Sequence, residues 1–278
     1  MFAAAPARAA VLYDQTTGTP GALLSFGPYE AADDFVVPPG PAWIAQSVDL
    51  NGQGVAGHIY TEIWSDAGGQ PGTTIYANDN TITTPDNFNA KMLGFLKPGR
   101  YWLAVNWVVG NPMSWSWRTQ SPQSGNEAVW AGFNATCTYS PGVNWRPLSA
   151  CGLPGPDLQF RLNGTVASNQ FQLDPPRRSP NGGVSIRGTF PNSGDLEVRG
   201  RGLKTKHYDV HCTGGNPCRQ GMNLGPLPAV KKKLTAGKKI RTTASITFAP
   251  SAGYGVPPST QTVRILLKRK RPSGGRNH

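Results

Sequence analysis

Apolar residues recur at every second position along most of this chain, in short runs cut by glycine, proline and aspartate, the pattern of half-buried β-strands. In Trp43–Leu50, Ile44, Val48 and Leu50 share one face, with Gln46 as the exception. In His58–Trp64, Ile59 and Ile63 lie opposite His58, Tyr60, Glu62 and Trp64, and a glycine-rich turn follows at Ser65–Gly72. From Lys97 to Trp107, Tyr101, Leu103, Val105 and Trp107 fall on one face, and Trp102, Ala104 and Asn106, continued by Val108, on the other. After a Gly-Asn-Pro turn, Met113–Trp117 reads as a partner strand, so a tryptophan-dense hairpin is expected at the centre of the first half. Leu158, Phe160 and Leu162 alternate again at its close.

The same period continues in the second half. Val184–Phe190, Leu196–Leu203 and Lys206–Cys212 are strand candidates, and Ile240, Thr242, Ala244, Ile246 and Phe248 share a face, as do Val263, Ile265 and Leu267. The expected fold class is all-β, two antiparallel β-sandwiches in tandem, one jelly-roll-like and one Ig-like. No window approaches eighteen consecutive apolar residues, so no membrane-spanning helix is expected.

Charge sharpens this picture by locating a boundary. Up to Val166 there are seven basic and eleven acidic residues; from Ala167 there are twenty and four. All eight tryptophans lie in the first part. The expected division is a signal-peptide remnant at 1–10, where Ala7-Arg8-Ala9 has the shape of a cleavage site, a Trp-rich domain at 11–166, a Pro-rich linker at 167–182, a basic domain at 183–270 and a basic disordered tail at 271–278. The four cysteines form two close pairs, Cys137 with Cys151 and Cys212 with Cys218, without zinc-type spacing. Disulfides are therefore expected, the first worth roughly 3 kcal/mol by loop-closure entropy. They imply an oxidising compartment and a secreted, extracellular or wall-associated protein.

The succession Ala32-Asp-Asp-Phe35, Ile63-Trp-Ser-Asp-Ala-Gly-Gly-Gln-Pro-Gly72, Pro98-Gly-Arg-Tyr-Trp-Leu103 and Asp157-Leu-Gln-Phe-Arg-Leu-Asn-Gly164 resembles a β-sandwich domain of secreted bacterial surface proteins. The stretches Gly194–Lys204, Lys231–Lys239, Ile246–Pro250 and Thr260–Lys270 resemble a lysine-rich Ig-like module of exported actinobacterial proteins, departing from it by the Cys212–Cys218 insertion. The resemblance implies a surface location and carries over no catalytic residues.

Candidate chemistry is sparse. Trp115, Trp117, Trp130 and Trp145 would stack on sugar rings if exposed, whereas the competing reading places most tryptophans in the core. Lys231, Lys232, Lys233, Lys238, Lys239, Lys268, Arg269, Lys270 and Arg271 create a field for polyanions such as anionic envelope polymers. Nucleic acid is disfavoured as partner because this region lacks tryptophan and interleaved stacking residues. His207, Asp209 and His211 would project to one side of a strand, but as a solvent face rather than a metal site. No metal and no cofactor are expected; a structural calcium at Asp33, Asp34 or the Asp66 turn is the one candidate, and it lacks the D-x-D-x-D-G spacing. No G-x-S-x-G elbow or H-E-x-x-H helix occurs. The expected function is non-enzymatic binding at a cell surface or matrix, adhesive or envelope-associated. A carbohydrate-binding protein using exposed tryptophans and a secreted hydrolase without a recognisable motif are the alternatives.

Overall fold

The computed structural model of the chain describes residues 10–26, 30–54, 57–83, 86–108, 115–132, 145–153, 155–179, 182–213 and 216–268. It is built almost wholly of antiparallel strands and divides into two compact units between Val166 and Ala167. The signal-like residues before Ala10, Cys137 and the tail from Arg269 lie outside the described residues.

In the first unit a four-stranded sheet runs in the order Ala10–Asp14, Phe160–Val166, Trp43–Leu50, Phe88–Leu96. A six-stranded sheet runs Arg146–Pro147, Val129–Ala131, Glu30–Val37, Gly99–Val108, Gly57–Asp66, Pro71–Ile82. A third, smaller sheet joins Asp157–Leu158, Trp115–Ser121 and Thr19–Phe26, and Gly52–Gly54 also pairs with Trp115–Ser121. Inward residues of all three form one core: Val48 and Leu162 from the first, Phe35, Ile63, Leu103 and Val105 from the second, Trp115, Trp117 and Leu158 from the third. Burying such side chains stabilises by roughly 1.5–3 kcal/mol each before the entropy of ordering is counted.

Alternation predicts most of these faces, and two departures are instructive. In Trp43–Leu50 the inward residues are Trp43, Ala45, Val48 and Leu50, while Ile44 is only half-buried. The register against Phe88–Leu96 slips between Ala45 and Ser47. A bulge there shifts the inward face by one residue, which is why Gln46 broke the period. The second departure is larger: Gly99–Val108 and Trp115–Ser121 do not form a hairpin. The first pairs with Glu30–Val37 and Gly57–Asp66, the second with Thr19–Phe26, Gly52–Gly54 and Asp157–Leu158. Both strands find long-range partners on either side, so neighbours in sequence end in different sheets. Gly52 is required by that arrangement, because a Cβ at this position would lie 2.2 Å from the Trp115 ring.

The second unit has two four-stranded antiparallel sheets. Val184–Phe190 is flanked by Gln172–Leu173 and Arg177–Arg178 on one side and by Cys218–Leu224 on the other; the second sheet runs Lys206–Val210, Gly194–Gly200, Ile240–Pro250, Ser259–Leu267. Its core includes Phe171, Phe190, Val198, Ile246 and Phe248, with Phe171 and Phe190 stacked at 5.2 Å. The expected linker is therefore corrected: residues 167–179 belong to this unit, since Phe171 is core and two short strands pair there. Proline and arginine at 174–178 occupy an edge, where a missing N–H and exposed charge are tolerated. The Cys212–Cys218 disulfide connects the end of one sheet to the first residue of a strand in the other.

Candidate functional site

The tryptophans proposed for sugar stacking are placed first, because their burial decides the question. Trp115 is 1% exposed, Trp117 0%, Trp130 7% and Trp145 9%. Trp115 and Trp117 do share a face, but it points inward; Trp117 Nε1 donates to Gln159 O at 2.7 Å and its ring meets Phe160 edge-on. Trp130 belongs to the same core. Trp145 packs edge-on against Trp64 at 5.5 Å, on the opposite side of the six-stranded sheet, with Trp102, Ala32 and Ala104. A buried indole has no face to offer a pyranose, so the tryptophan platform is withdrawn. The reason is area: a sandwich this rich in glycine and alanine fills its core with its largest side chains.

The carboxylates of the first unit are likewise turned to internal use. Asp33 is fully buried and accepts from Leu158 N at 2.6 Å and Gln15 Nε2 at 2.5 Å; burial, with Asp157 nearby, pushes its pKa well above the carboxylate range, against those hydrogen bonds. Asp34 accepts from Arg100 and from the backbone and side-chain nitrogens of Asn126. Asp66 accepts from Trp102 Nε1 at 2.9 Å and from Gly69 N. The three candidate calcium ligands thus point at protein donors and act as struts. Burial also raises Asp157 to about 6, with the Ser124 N–H opposing and Glu127 adding. Glu30 rises to about 8, from burial first and the neighbouring Glu62 second, while Trp64 Nε1 donates to Glu62 at 2.8 Å.

In the second unit the charge stays outside. Residues Pro228–Thr235 form an α-helix, which alternation did not predict, just as it did not predict the strand Thr19–Phe26 in a glycine- and proline-containing stretch that reads as a loop. Pro228 opens it at a position where its missing N–H costs nothing, and Gly237, with φ of 78°, follows its end. Leu234 is buried and Val230 packs against the same core, one turn earlier, so the helix is anchored by an i, i+4 pair. Lys231, Lys232 and Lys233 occupy the remaining faces and are exposed, as are Lys238 and Lys239 just beyond. Among the described residues no carboxylate lies within ion-pair distance of any of these five; Glu197 pairs instead with Arg199 and His207, and Asp174 with Arg219. Lysines near a helix C-terminus also face its negative dipole end, a favourable charge–dipole contact. Lys268 is half-exposed at the end of Ser259–Leu267, while Arg269, Lys270 and Arg271 lie outside the described residues. The structure therefore brings together five of the nine predicted basic residues on one short segment.

His207, Asp209 and His211 are exposed and Val210 is buried, as alternation requires. His207 faces Glu197 at 3.4 Å, and no group of three metal-capable side chains forms among the described residues. Cys212 and Cys218 are disulfide-bonded, and Cys151 is also disulfide-bonded, its expected partner Cys137 lying outside the described residues. No helix among the described residues is long and apolar enough to cross a membrane.

No family model and no curated protein matches the chain. Among solved structures it is similar to a GH2 beta-galacturonidase from Eisenbergiella tayi bound to galacturonate, at 10% identity over 87% of this chain and 36% of that one, with a TM-score of 0.22. A calcium-binding mutant of Bacteroides uniformis beta-glucuronidase 2 gives 10% identity, 94% and 28% coverage, and a TM-score of 0.24. The chain spans well under half the length of these proteins, and likeness at this level carries no functional argument, so the functional reading rests on this chain's own residues.

Proposed function

We propose that this is a non-enzymatic binding protein of an oxidising extracellular setting, attached to anionic envelope polymers through the lysine helix of its second unit. The observation that carries the reading is the exposed group Lys231, Lys232, Lys233, Lys238 and Lys239, which has no ion-pair partner among the described residues. Five ammonium groups on and just beyond one turn of helix attract a polymer that presents many negative charges, and each contributes a modest, salt-screened increment. A compact, strongly hydrated ammonium suits non-directional attraction, in contrast to the fork geometry of arginine. The resemblance to exported surface domains and the disulfide agree with this setting.

The experiment is a salt titration of binding to purified anionic wall polymer, with polyphosphate, anionic vesicles and single-stranded DNA as comparison probes. Binding to the wall polymer is expected to weaken steeply between about 0.05 and 0.5 M salt, where the Debye length falls several-fold. Replacing Lys231, Lys232 and Lys233 together by glutamine is expected to lower the affinity at least tenfold at low salt. Salt-insensitive attachment, or an unaltered triple variant, would remove the reading; stronger binding to vesicles or DNA would replace the partner.

A further inference from the structure

On the solvent side of the four-stranded sheet one rung crosses all four strands: Asp14 lies opposite Arg161, Arg161 opposite Asp49, and Asp49 opposite Asn89. Beside that rung Asp49, Asn51, Asn87, Phe88, Asn89 and Arg161 line an open depression of about 260 Å3. Its polar groups are held in place by their neighbours. Asp49 accepts from Asn89 Nδ2 at 2.6 Å through one oxygen and from Asn163 Nδ2 at 2.9 Å through the other. Arg161 donates from Nε to Asp14 at 3.1 Å and from Nη2 to Thr16 Oγ1 at 3.2 Å. Asn51 Nδ2 donates to Gln159 Oε1, and Asn87 Oδ1 accepts from Gly52 N, both at 3.1 Å. Phe88 is half-buried and rests edge-on against Trp115 at 5.1 Å, which fixes an apolar wall.

A carboxylate oxygen that accepts one hydrogen bond retains capacity for another, and a guanidinium has five donors. Planar acceptors and donors fixed side by side match the adjacent hydroxyls of a saccharide, and the phenyl wall matches its C–H face. Arg161 is paired with Asp14 just outside the lining, which leaves the Asp49 carboxylate as the uncompensated charge of the pocket, so phosphate and uronate are unfavourable guests. The volume falls just below the usual span of drug-sized ligand cavities, which begins near 300 Å3, and suits one ring rather than an oligosaccharide. We infer that this pocket binds a single neutral saccharide ring through Asp49, Asn89 and Arg161, with Phe88 as the stacking wall. It is a site separate from the lysine helix, on a different unit, and requires no exposed tryptophan.

The test is an NMR titration of the full chain with methyl glycosides of glucose, galactose, mannose and N-acetylglucosamine, alongside glucuronate and inorganic phosphate. At least one neutral glycoside is expected to bind with a dissociation constant on the order of 1 mM, the range for a ligand of about twelve heavy atoms. Glucuronate and phosphate are expected to bind at least tenfold more weakly. Asp49→Asn and Asn89→Ala are each expected to lose about tenfold in affinity, the worth of roughly one hydrogen bond to a charged group, with unchanged melting temperature. The exposed Asn89 side chain keeps the comparison valid should Asp49→Asn disturb folding. Absence of binding by every neutral glycoside, preference for an anion, or unchanged affinity in both variants would overturn the proposal. Binding that survives glutamine at Lys231, Lys232 and Lys233 and is insensitive to salt separates this site from polymer attachment.

Discussion

The two units use charge in opposite ways. In the first, eleven acids outnumber seven bases, yet Asp33, Asp34 and Asp157 are buried and engaged by protein donors, and burial holds Glu30 protonated near neutral pH. Much of its formal negative charge therefore never appears at the surface. In the second, twenty bases face four acids, and the lysines of the helix and its following turn are exposed, with no ion-pair partner among the described residues. There the formal charge is expressed as a field. Counting charges by sequence thus overstates the polarity of one unit and reports that of the other faithfully, because a carboxyl group can be neutralised by burial whereas a surface ammonium cannot.

The largest effect separating the units should come from the core. Trp117→Ala removes a fully buried indole and the shorter of the two donors to Gln159 O, so the first unit is expected to lose about 3–5 kcal/mol. Denaturant melts followed by tryptophan emission would show it, since all tryptophans lie in that unit. An unaltered midpoint would contradict the inward placement of this residue. Next in size, Cys212→Ser with Cys218→Ser opens a short loop in the second unit and should cost it about 2 kcal/mol by loop-closure entropy, without moving the tryptophan-detected transition.

A smaller contrast is in pH. Glu30, raised from 4.5 to about 8, keeps a proton in the folded unit that the unfolded chain releases, and Asp157, raised from 3.8 to about 6, does the same. Their contribution is therefore greatest below the unfolded values and declines as pH rises, through about 6 for Asp157 and about 8 for Glu30. The first unit's denaturation midpoint is expected to fall between about pH 5 and pH 8, and Glu30→Gln to flatten the upper part of that decline. A midpoint that rises over this range would refute the assignment. Smallest of all, Lys238→Gln with Lys239→Gln should leave both melts within about 0.5 kcal/mol of the parent, as exposed and unpaired side chains do, while lowering polymer affinity about threefold at low salt.

Much of the fold is legible in local pattern. The inward faces of Gly57–Asp66 and Ile240–Pro250 follow period two because each lies between a packed core and an outer side, whereas Gly99–Val108 splits its alternate residues between two buried clusters, Leu103 and Val105 on one face and Trp102 and Ala104 on the other. The helix Pro228–Thr235 escaped notice because eight residues with one i, i+4 apolar pair give no usable periodicity, and its Pro and Gly read as turn signals. Of the candidate sites, the basic segment could be read directly, since a run of lysines needs no tertiary contact to be charged. The polar depression proposed to take a saccharide could not, because Asp49, Asn89 and Arg161 come from three strands scattered over the unit. Their only local trace is polar residues at outward positions, which any solvent face would show.

The sequence by itself determined the all-β class, the boundary at Val166, the second cysteine pair and the basic character of the second unit. Each follows from composition or spacing within a short stretch. Tertiary structure alone decided that the tryptophans are core, that Gly99–Val108 and Trp115–Ser121 lie in different sheets, and that the outer rung of the four-stranded sheet is a pocket. Those outcomes depend on which strands pair at long range and which face of each sheet is covered, and alternation fixes the existence of two faces without saying which one the rest of the chain will bury.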